Sequence, residues 1–293
     1  MALRVLVASA PDLPEVAGFY SQLAGVLAGF SFAALVALVA SKRDSGTATS
    51  FRWHSVAPLT SAFVALVASS LDYALVAGET AGTNRVAAVQ TTAGMGFSIA
   101  GIMLVYSILV LLADHGFGQA ATGLLKNLTV VTLPPLLVLL MWSGVRDHLV
   151  QVHDSDSRLL WADWVSLGTL ATVAGVGASL RVRFRNRSIE QDKLVTRLAS
   201  GTAHIAFLSL IGTTALISLT TTEASVPDII PVVATLIVGA FSIAVAYSAA
   251  RYQTLSDADA PPAEEFTDAS ASEGHVTDSA AQDEDESGVT QPA

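Results

Sequence analysis

Asp72 is the residue whose type and surroundings most favour chemistry. It lies in an apolar stretch of the chain, where a carboxylate costs roughly 2.5–3.5 kcal/mol on membrane-insertion scales. Small or weakly polar residues lie on the same side of this stretch at helical spacing, namely Ser61, Ala65, Ala68 and Ser69. This pattern predicts that Asp72 faces the protein interior or a water-filled cavity rather than lipid.

Two glutamines in neighbouring apolar stretches, Gln22 and Gln90, are predicted to lie at a similar depth. At 1.5 Å per residue from the predicted outer surface, Asp72 is roughly 9 Å deep, Gln22 roughly 7 Å and Gln90 roughly 6 Å. We therefore predict a site for a proton or another small cation, in which Asp72 provides the charge and the two amides provide neutral ligands. The alternative is a hydrogen-bond cluster that only holds the three helices together, with each bond worth about 1 kcal/mol or less.

His204 lies in the sixth apolar stretch, roughly 9 Å from the opposite surface by the same arithmetic. Histidine relays protons in many proteins. Asp72 and His204 would form a two-station proton path if both face one cavity. The alternative is a hydrogen-bonded packing residue.

The elements that must position these residues are predicted to be transmembrane helices. The chain is 52% hydrophobic and only 14% charged, against roughly 25% charged in soluble domains. A spanning helix needs about 20 mainly apolar residues, and seven stretches qualify. They cover residues 17–40, 55–78, 86–113, 126–145, 160–181, 197–220 and 227–250. The fold class is thus an all-α polytopic bundle of seven spans.

The distribution of Lys and Arg predicts the orientation of the bundle. With seven spans and the N-terminus outside, eleven of the 15 basic residues lie on the inner side and four on the outer side. Without the fourth span the count becomes six inside and nine outside, against the usual cytoplasmic excess. Seven spans with a cytoplasmic C-terminus are therefore favoured.

The fourth stretch contains Pro134 and Pro135, which lack backbone donors and disfavour helical geometry before them. The pair predicts a helix break. Broken helices at mid-membrane line binding sites in many transporters. An ordinary kink is the alternative.

Small residues recur every four positions in the first stretch, including Ser21, Gly25, Gly29 and Ala33. This spacing places them on one helix face and allows close approach of another helix. The pattern predicts either tight packing within the bundle or the seam of a homo-oligomer.

The chain is predicted to have three parts: a short extracytoplasmic segment (1–14), the helical bundle (15–251) and a cytoplasmic tail (252–293). Eleven of the 25 acidic residues lie in the tail, which has no Lys or Arg. Its composition predicts disorder. The net charge of −10 therefore arises from the tail and not from the bundle.

Two charged segments flank the predicted spans. The segment Arg181–Arg187 holds four arginines at alternate positions, and a basic cluster beside a span predicts contact with anionic lipid. In the connection after the fourth stretch, His148 and His153 lie among three carboxylates. Their spacing matches no established metal motif, so no metal site is predicted, although metal binding by this loop remains the alternative.

Several classes of protein are excluded by what the sequence lacks. There is no cysteine, which rules out disulfides and thiolate metal sites. No lysine lies in the interior of an apolar stretch, so a retinal Schiff base is excluded. No phosphate-binding glycine loop and no zinc-protease helix motif occurs. We expect no cofactor and no nucleic-acid partner. The sequence favours a non-enzymatic protein, and an enzyme without a recognisable motif is the third alternative.

Two functions follow from these observations. The first is a permease or channel for protons or another small cation in a cell membrane, and the Arg-rich, Lys-poor composition is typical of high-GC bacteria. The second is a non-catalytic scaffold or signalling subunit that assembles through the small-residue face of the first span.

Overall fold

In a computed structural model of the chain, the described residues are 13–44, 53–81, 83–114, 119–153, 159–183, 192–221 and 226–251. These residues form helices and no strands. The predicted tail, Arg185 and Arg187 lie outside the described residues, as does the predicted N-terminal segment up to residue 12. The helices are α1 (Leu13–Asp44), α2 (Trp53–Ala77), α3 (Asn84–Asp114), α4 (Gln119–Asn127), a π-helical segment (Leu128–Thr132), α5 (Leu133–His153), α6 (Trp161–Arg183), α7 (Asp192–Leu219) and α8 (Ile229–Arg251).

Within the part of the chain that the structure describes, seven helical segments are long and apolar enough to cross a membrane, as the sequence predicts. The fourth is continuous from Ala120 to His153, because α4, the π-helical segment and α5 follow each other without interruption. It is longer than the predicted stretch 126–145 at both ends. Exposed apolar side chains such as Phe30, Trp164 and Ile211 suit a lipid environment.

Helix α3 is the centre of the bundle. It packs against α2 and α7 on one side and against α5 and α8 on the other. Helix α1 packs mainly on α2, and α6 packs on α5 and α8. The core along α3 includes the fully buried Ile99, Ile102, Met103 and Tyr106, and the Tyr106 hydroxyl lies 2.7 Å from that of Ser248 on α8. A polar residue on α3 can therefore face either of two helix groups.

The helix does not break at Pro134 and Pro135, contrary to the predicted break. The chain enters them from the π-helical segment, in which the backbone N–H of Leu133 donates to the carbonyl of Leu128, five residues earlier. A proline ring crowds the carbonyl of the preceding turn. A wider π-helical turn gives that carbonyl another position. The double proline thus coincides with a local widening of a continuous helix.

The small-residue face of α1 contacts α2 only over its first half. The Ser21 hydroxyl donates to the Ser70 carbonyl at 2.8 Å, the Ser70 hydroxyl donates to the Ser21 carbonyl at 2.9 Å, and a Cβ on Gly25 would lie 3.6 Å from the Ser70 hydroxyl. By contrast, a Cβ on Gly29 would meet nothing within 4 Å, and Ala33 is exposed. The second half of this face is therefore available to lipid or to another chain.

Candidate functional site

Asp72 is fully buried in α2, where this helix faces α3 and α7. Its Oδ2 atom lies 2.8 Å from the hydroxyl of Ser209 on α7, which donates to it. The same hydroxyl lies 2.8 Å from the carbonyl oxygen of Thr92 on α3. Three helices therefore meet at one carboxylate, because each contributes a polar atom to the same buried point.

The hydrogen bonds leave part of this carboxylate unsatisfied. Asp72 Oδ1 has no hydrogen-bond partner among the described residues. Thr213, one turn after Ser209 on α7, brings its hydroxyl close to the carboxylate but forms no hydrogen bond of good geometry. The Thr213 hydroxyl is thus near the carboxylate, and neither Thr213 Oγ1 nor Asp72 Oδ1 has a hydrogen-bond partner among the described residues. This arrangement can receive a proton or a small cation.

Small residues allow the helices to approach this closely. A Cβ built on Gly96 of α3 would lie 3.0 Å from the Ser209 hydroxyl and 3.3 Å from that of Ser69. A Cβ on Gly212 of α7 would lie 3.5 Å from the Thr92 methyl group. A larger residue at Gly96 would push Ser209 away from Asp72, so the glycine is part of the site.

No ion pair of the described residues involves Asp72. The guanidinium of Arg85 pairs with Glu79 and donates to the carbonyls of Ile217, at 3.0 Å, and Thr220, at 2.7 Å. Arg146 pairs with Asp163. Burying an ionised carboxylate without a cation is strongly unfavourable, so this environment favours a proton or a cation at Asp72.

Gln90 lines a cavity whose walls do not include Asp72. It is two residues before Thr92 on α3, which places it about 200° around the helix, on the opposite face. There it lines a cavity of about 100 Å³ together with Tyr20, Tyr73 and Asp147 among others. Gln90 Oε1 is buried and has no hydrogen-bond partner among the described residues. Gln90 therefore lies near the site in height without contributing a hydrogen bond to Asp72.

Aromatic rings from α1, α2 and α3 line this cavity. Tyr20 stacks on Tyr73 with ring centroids 5.2 Å apart. Phe97 packs edge-on against both, at 5.8 Å from Tyr20 and 5.9 Å from Tyr73. These contacts hold α1, α2 and α3 together at the level where an amide cluster was predicted.

Gln22 and His204, the other two predicted site residues, both have exposed side chains. The imidazole of His204 contacts its own helix, with Nδ1 2.6 Å from the Ser200 carbonyl oxygen. Five residues separate His204 from Ser209, which turns it about 140° away from the side of α7 that faces Asp72. The structure therefore does not bring Asp72 and His204 to one cavity.

Polar contacts also join helices at the end of the bundle that carries the turn at Glu79, here called the Glu79 end. The buried carboxylate of Asp163 accepts hydrogen bonds from Trp142 Nε1, Arg146 and the backbone N–H of Leu160, each at 3.0 Å. This joins α5 to the start of α6. The bond to Leu160 is the reciprocal half of a capping box, in which the third helical residue satisfies the N-cap amide.

His148 and His153 lie in the last turns of α5, where the sequence predicted a loop, and they contact Asp228, the residue before α8, instead of forming a metal centre. His153 Nε2 lies 2.9 Å from one Asp228 oxygen and His148 Nε2 lies 3.5 Å from the other. Within the described part of the chain, no group of three or more His, Asp or Glu side chains has the arrangement of a metal site. Asp154 and Asp156 lie outside the described residues.

Sequence reasoning missed Ser209, Thr213 and Thr92. Ser209 and Thr213 are four residues apart in an apolar stretch, so they lie on one face of α7. The spacing of four predicts a shared polar face. The sequence does not show that this face of α7 packs against Asp72.

Comparisons with known proteins add no assignment. No protein-family model matches the chain. Neither a curated protein nor a solved structure shows significant similarity to it.

Proposed function

We propose that the chain is an integral membrane protein that transports or conducts protons or another small cation, with Asp72 as the ion-binding carboxylate. The observation that carries this proposal is a fully buried Asp72 with one unpaired oxygen and no ion pair within the described residues. Intramembrane carboxylates are rare and costly, and in membrane proteins they usually mark ion or proton pathways.

The ligands of this proposed site differ from those that the sequence suggests. Ser209 and Thr213 take the places given to Gln22 and Gln90, and the Thr92 carbonyl supplies a further oxygen. A carboxylate, hydroxyls and a carbonyl form an all-oxygen set that suits a proton or a hard cation. His204 has no part in it.

The proposed orientation follows from the basic residues. Eleven of 15 lie on the side that carries the C-terminus, and such a bias usually marks the cytoplasmic face. The Glu79 end then faces outward, and Asp72 lies within two turns of the end of α2 at Ala77. The site would load from the outer side of a bacterial cell membrane.

A flux assay in proteoliposomes tests this proposal. Wild-type protein should carry protons, read by an internal pH-sensitive dye, or Na⁺ or K⁺, read by a cation-sensitive dye. Asp72→Asn keeps the shape and the Ser209 contact but loses the charge, so its flux should fall to the level of empty liposomes. Asp147→Asn removes an exposed carboxylate of the neighbouring cavity and should retain wild-type flux.

Two outcomes would refute the proposal. One is wild-type flux from a folded Asp72→Asn protein. The other is the absence of flux for all three cations from wild-type protein.

A second candidate function is a scaffold or signalling subunit that self-assembles through α1. The observation that favours it is the unpacked second half of the small-residue face, at Gly29 and Ala33. In lipid, small residues drive helix association because they let backbones meet closely. Leucine at both positions should then reduce cross-linked dimers in membranes, while leucine at exposed Ala74 on α2 should not. Equal cross-linking of the wild-type protein, the Gly29 and Ala33 leucine variant and the Ala74 leucine variant would exclude this face as the interface.

A further inference from the structure

A cavity of about 240 Å³ lies at the opposite end of the bundle, here called the Lys126 end. Its walls come from three parts of the chain: α4 with the π-helical segment, the last turns of α6, and α8 near Ala250. The volume is far above the roughly 10–15 Å³ that one water molecule needs. It can admit a group the size of a phosphate.

Two basic side chains line this cavity, Lys126 from α4 and Arg181 from α6. The backbone explains why they meet. A Cβ on Gly177 would lie 2.6 Å from the carbonyl oxygen of Val130, so α6 and the π-helical segment touch backbone to backbone. Arg181 follows that contact by four residues and Lys126 precedes it by four. Because the two segments run in opposite directions, both basic residues lie roughly 6 Å along the helix axis from the contact, toward the same end of the bundle.

Asn127, which follows Lys126 in the chain, adds a polar group to the same cavity. Its Oδ1 atom is buried with no hydrogen-bond partner among the described residues. Amide oxygen and nitrogen are interchangeable by rotation of the side chain. The amide can therefore turn its N–H₂ group toward an anion in the cavity.

We propose that this cavity binds a phosphate group, held by Lys126, Arg181 and Asn127. Lysine and arginine are the residues that most often bind phosphate oxygens. Basic pockets between spanning helices bind the head groups of anionic lipids, and a free phosphate compound offers the same chemistry. The proposal does not depend on the function proposed for Asp72, because Asp72 lies toward the Glu79 end of the bundle.

Thermal unfolding of the purified full-length protein in neutral detergent tests the site, with three additions compared. These are phosphatidylcholine, phosphatidylglycerol and inorganic phosphate. Phosphatidylglycerol should raise the unfolding midpoint relative to phosphatidylcholine if the ligand is a lipid head group. Inorganic phosphate should also raise it if the ligand is a free phosphate.

Variants assign the effect to the cavity. Arg181→Gln changes an exposed side chain and should weaken the apparent affinity by roughly tenfold, as expected for loss of one charge-assisted bond. Lys126→Gln with Arg181→Gln should abolish the response. Arg183→Gln is the matched control, because Arg183 is exposed on the same helix and does not line the cavity.

The proposal is overturned if neither phosphatidylglycerol nor inorganic phosphate stabilises the wild-type protein. It is also overturned if Arg181→Gln and Arg183→Gln respond equally. Native mass spectrometry of wild-type protein gives a second measurement that needs no variant. One tightly retained phospholipid or phosphate per chain is expected, and its absence counts against the site.

Discussion

The hydroxyl of Ser209 has one proton and two acceptors, the carboxylate of Asp72 and the carbonyl of Thr92, each at 2.8 Å. When Asp72 is ionised, the proton is best placed toward the charge. When Asp72 is protonated or a cation is bound, the Thr92 carbonyl competes for it. The position of this one proton therefore depends on the state of the site.

Replacing Ser209 by alanine should destabilise the protein because two buried acceptors lose their donor. The expected loss in the free energy of unfolding is about 1–2 kcal/mol, measured by denaturation in mixed micelles. It should also reduce any cation flux. Thr214→Ala is a matched control, since that exposed hydroxyl only bonds the carbonyl of Leu210 in its own helix. Equal stability of the two variants would show that the Ser209 hydroxyl contributes nothing to the site.

At this scale the sequence predicts depth but not direction around a helix. The face of α2 that carries Asp72 is lined by small residues, so its burial was predictable and is observed. Gln22 and Gln90 lie at a similar predicted height, but one is exposed and the other faces the opposite side of α3. Counting 1.5 Å per residue locates a residue along the helix axis only, and the neighbouring helix decides the rest.

At the scale of elements, α6 and the π-helical segment touch at Gly177. Among the glycines of the described residues, this one lies closest to the backbone of another helical segment. The contact joins the widened part of the fourth span to Gly177. Hydropathy predicts the span and the prolines mark the irregular position. The π-helical turn itself was not predicted, because it depends on how the backbone rearranges the carbonyl groups that the proline rings crowd.

Gly177→Ala should separate these two elements. The added Cβ would lie 2.6 Å from the Val130 carbonyl oxygen, which is main chain and cannot rotate aside. Overpacking of this kind typically costs about 1–3 kcal/mol. Gly175→Ala on the same helix meets nothing within 4 Å and should be neutral or stabilising by up to about 1 kcal/mol. Unfolding midpoints of the two variants measure the difference, and similar midpoints would contradict a backbone contact.

At the scale of the whole molecule, the number of spans could be predicted from the sequence and their arrangement could not. Each span has enough apolar residues to be recognised alone. Helix pairing depends on shape instead, and α7 packs on α2 and α3 although three helices or more separate it from them in the chain. The proposed Asp72 site depends on that pairing, which a prediction from consecutive helices does not include.

Cysteine labelling tests the orientation of the whole bundle, since the chain has no cysteine of its own. Single cysteines at exposed Thr80 and Thr221 follow the second and sixth spans, so an even number of spans separates them and they must lie on the same side. A cysteine at exposed Ala121, at the start of the fourth span, must lie on the opposite side of the membrane.

A membrane-impermeant thiol reagent should label the cysteines at positions 80 and 221 in intact cells. It should label Ala121→Cys only after permeabilisation, because the distribution of basic residues predicts a cytoplasmic location for that end. The reverse pattern would invert the orientation and make the Asp72 site open inward. Labelling of all three from one side would contradict the seven spans, since Thr80 and Ala121 are separated by the third helix.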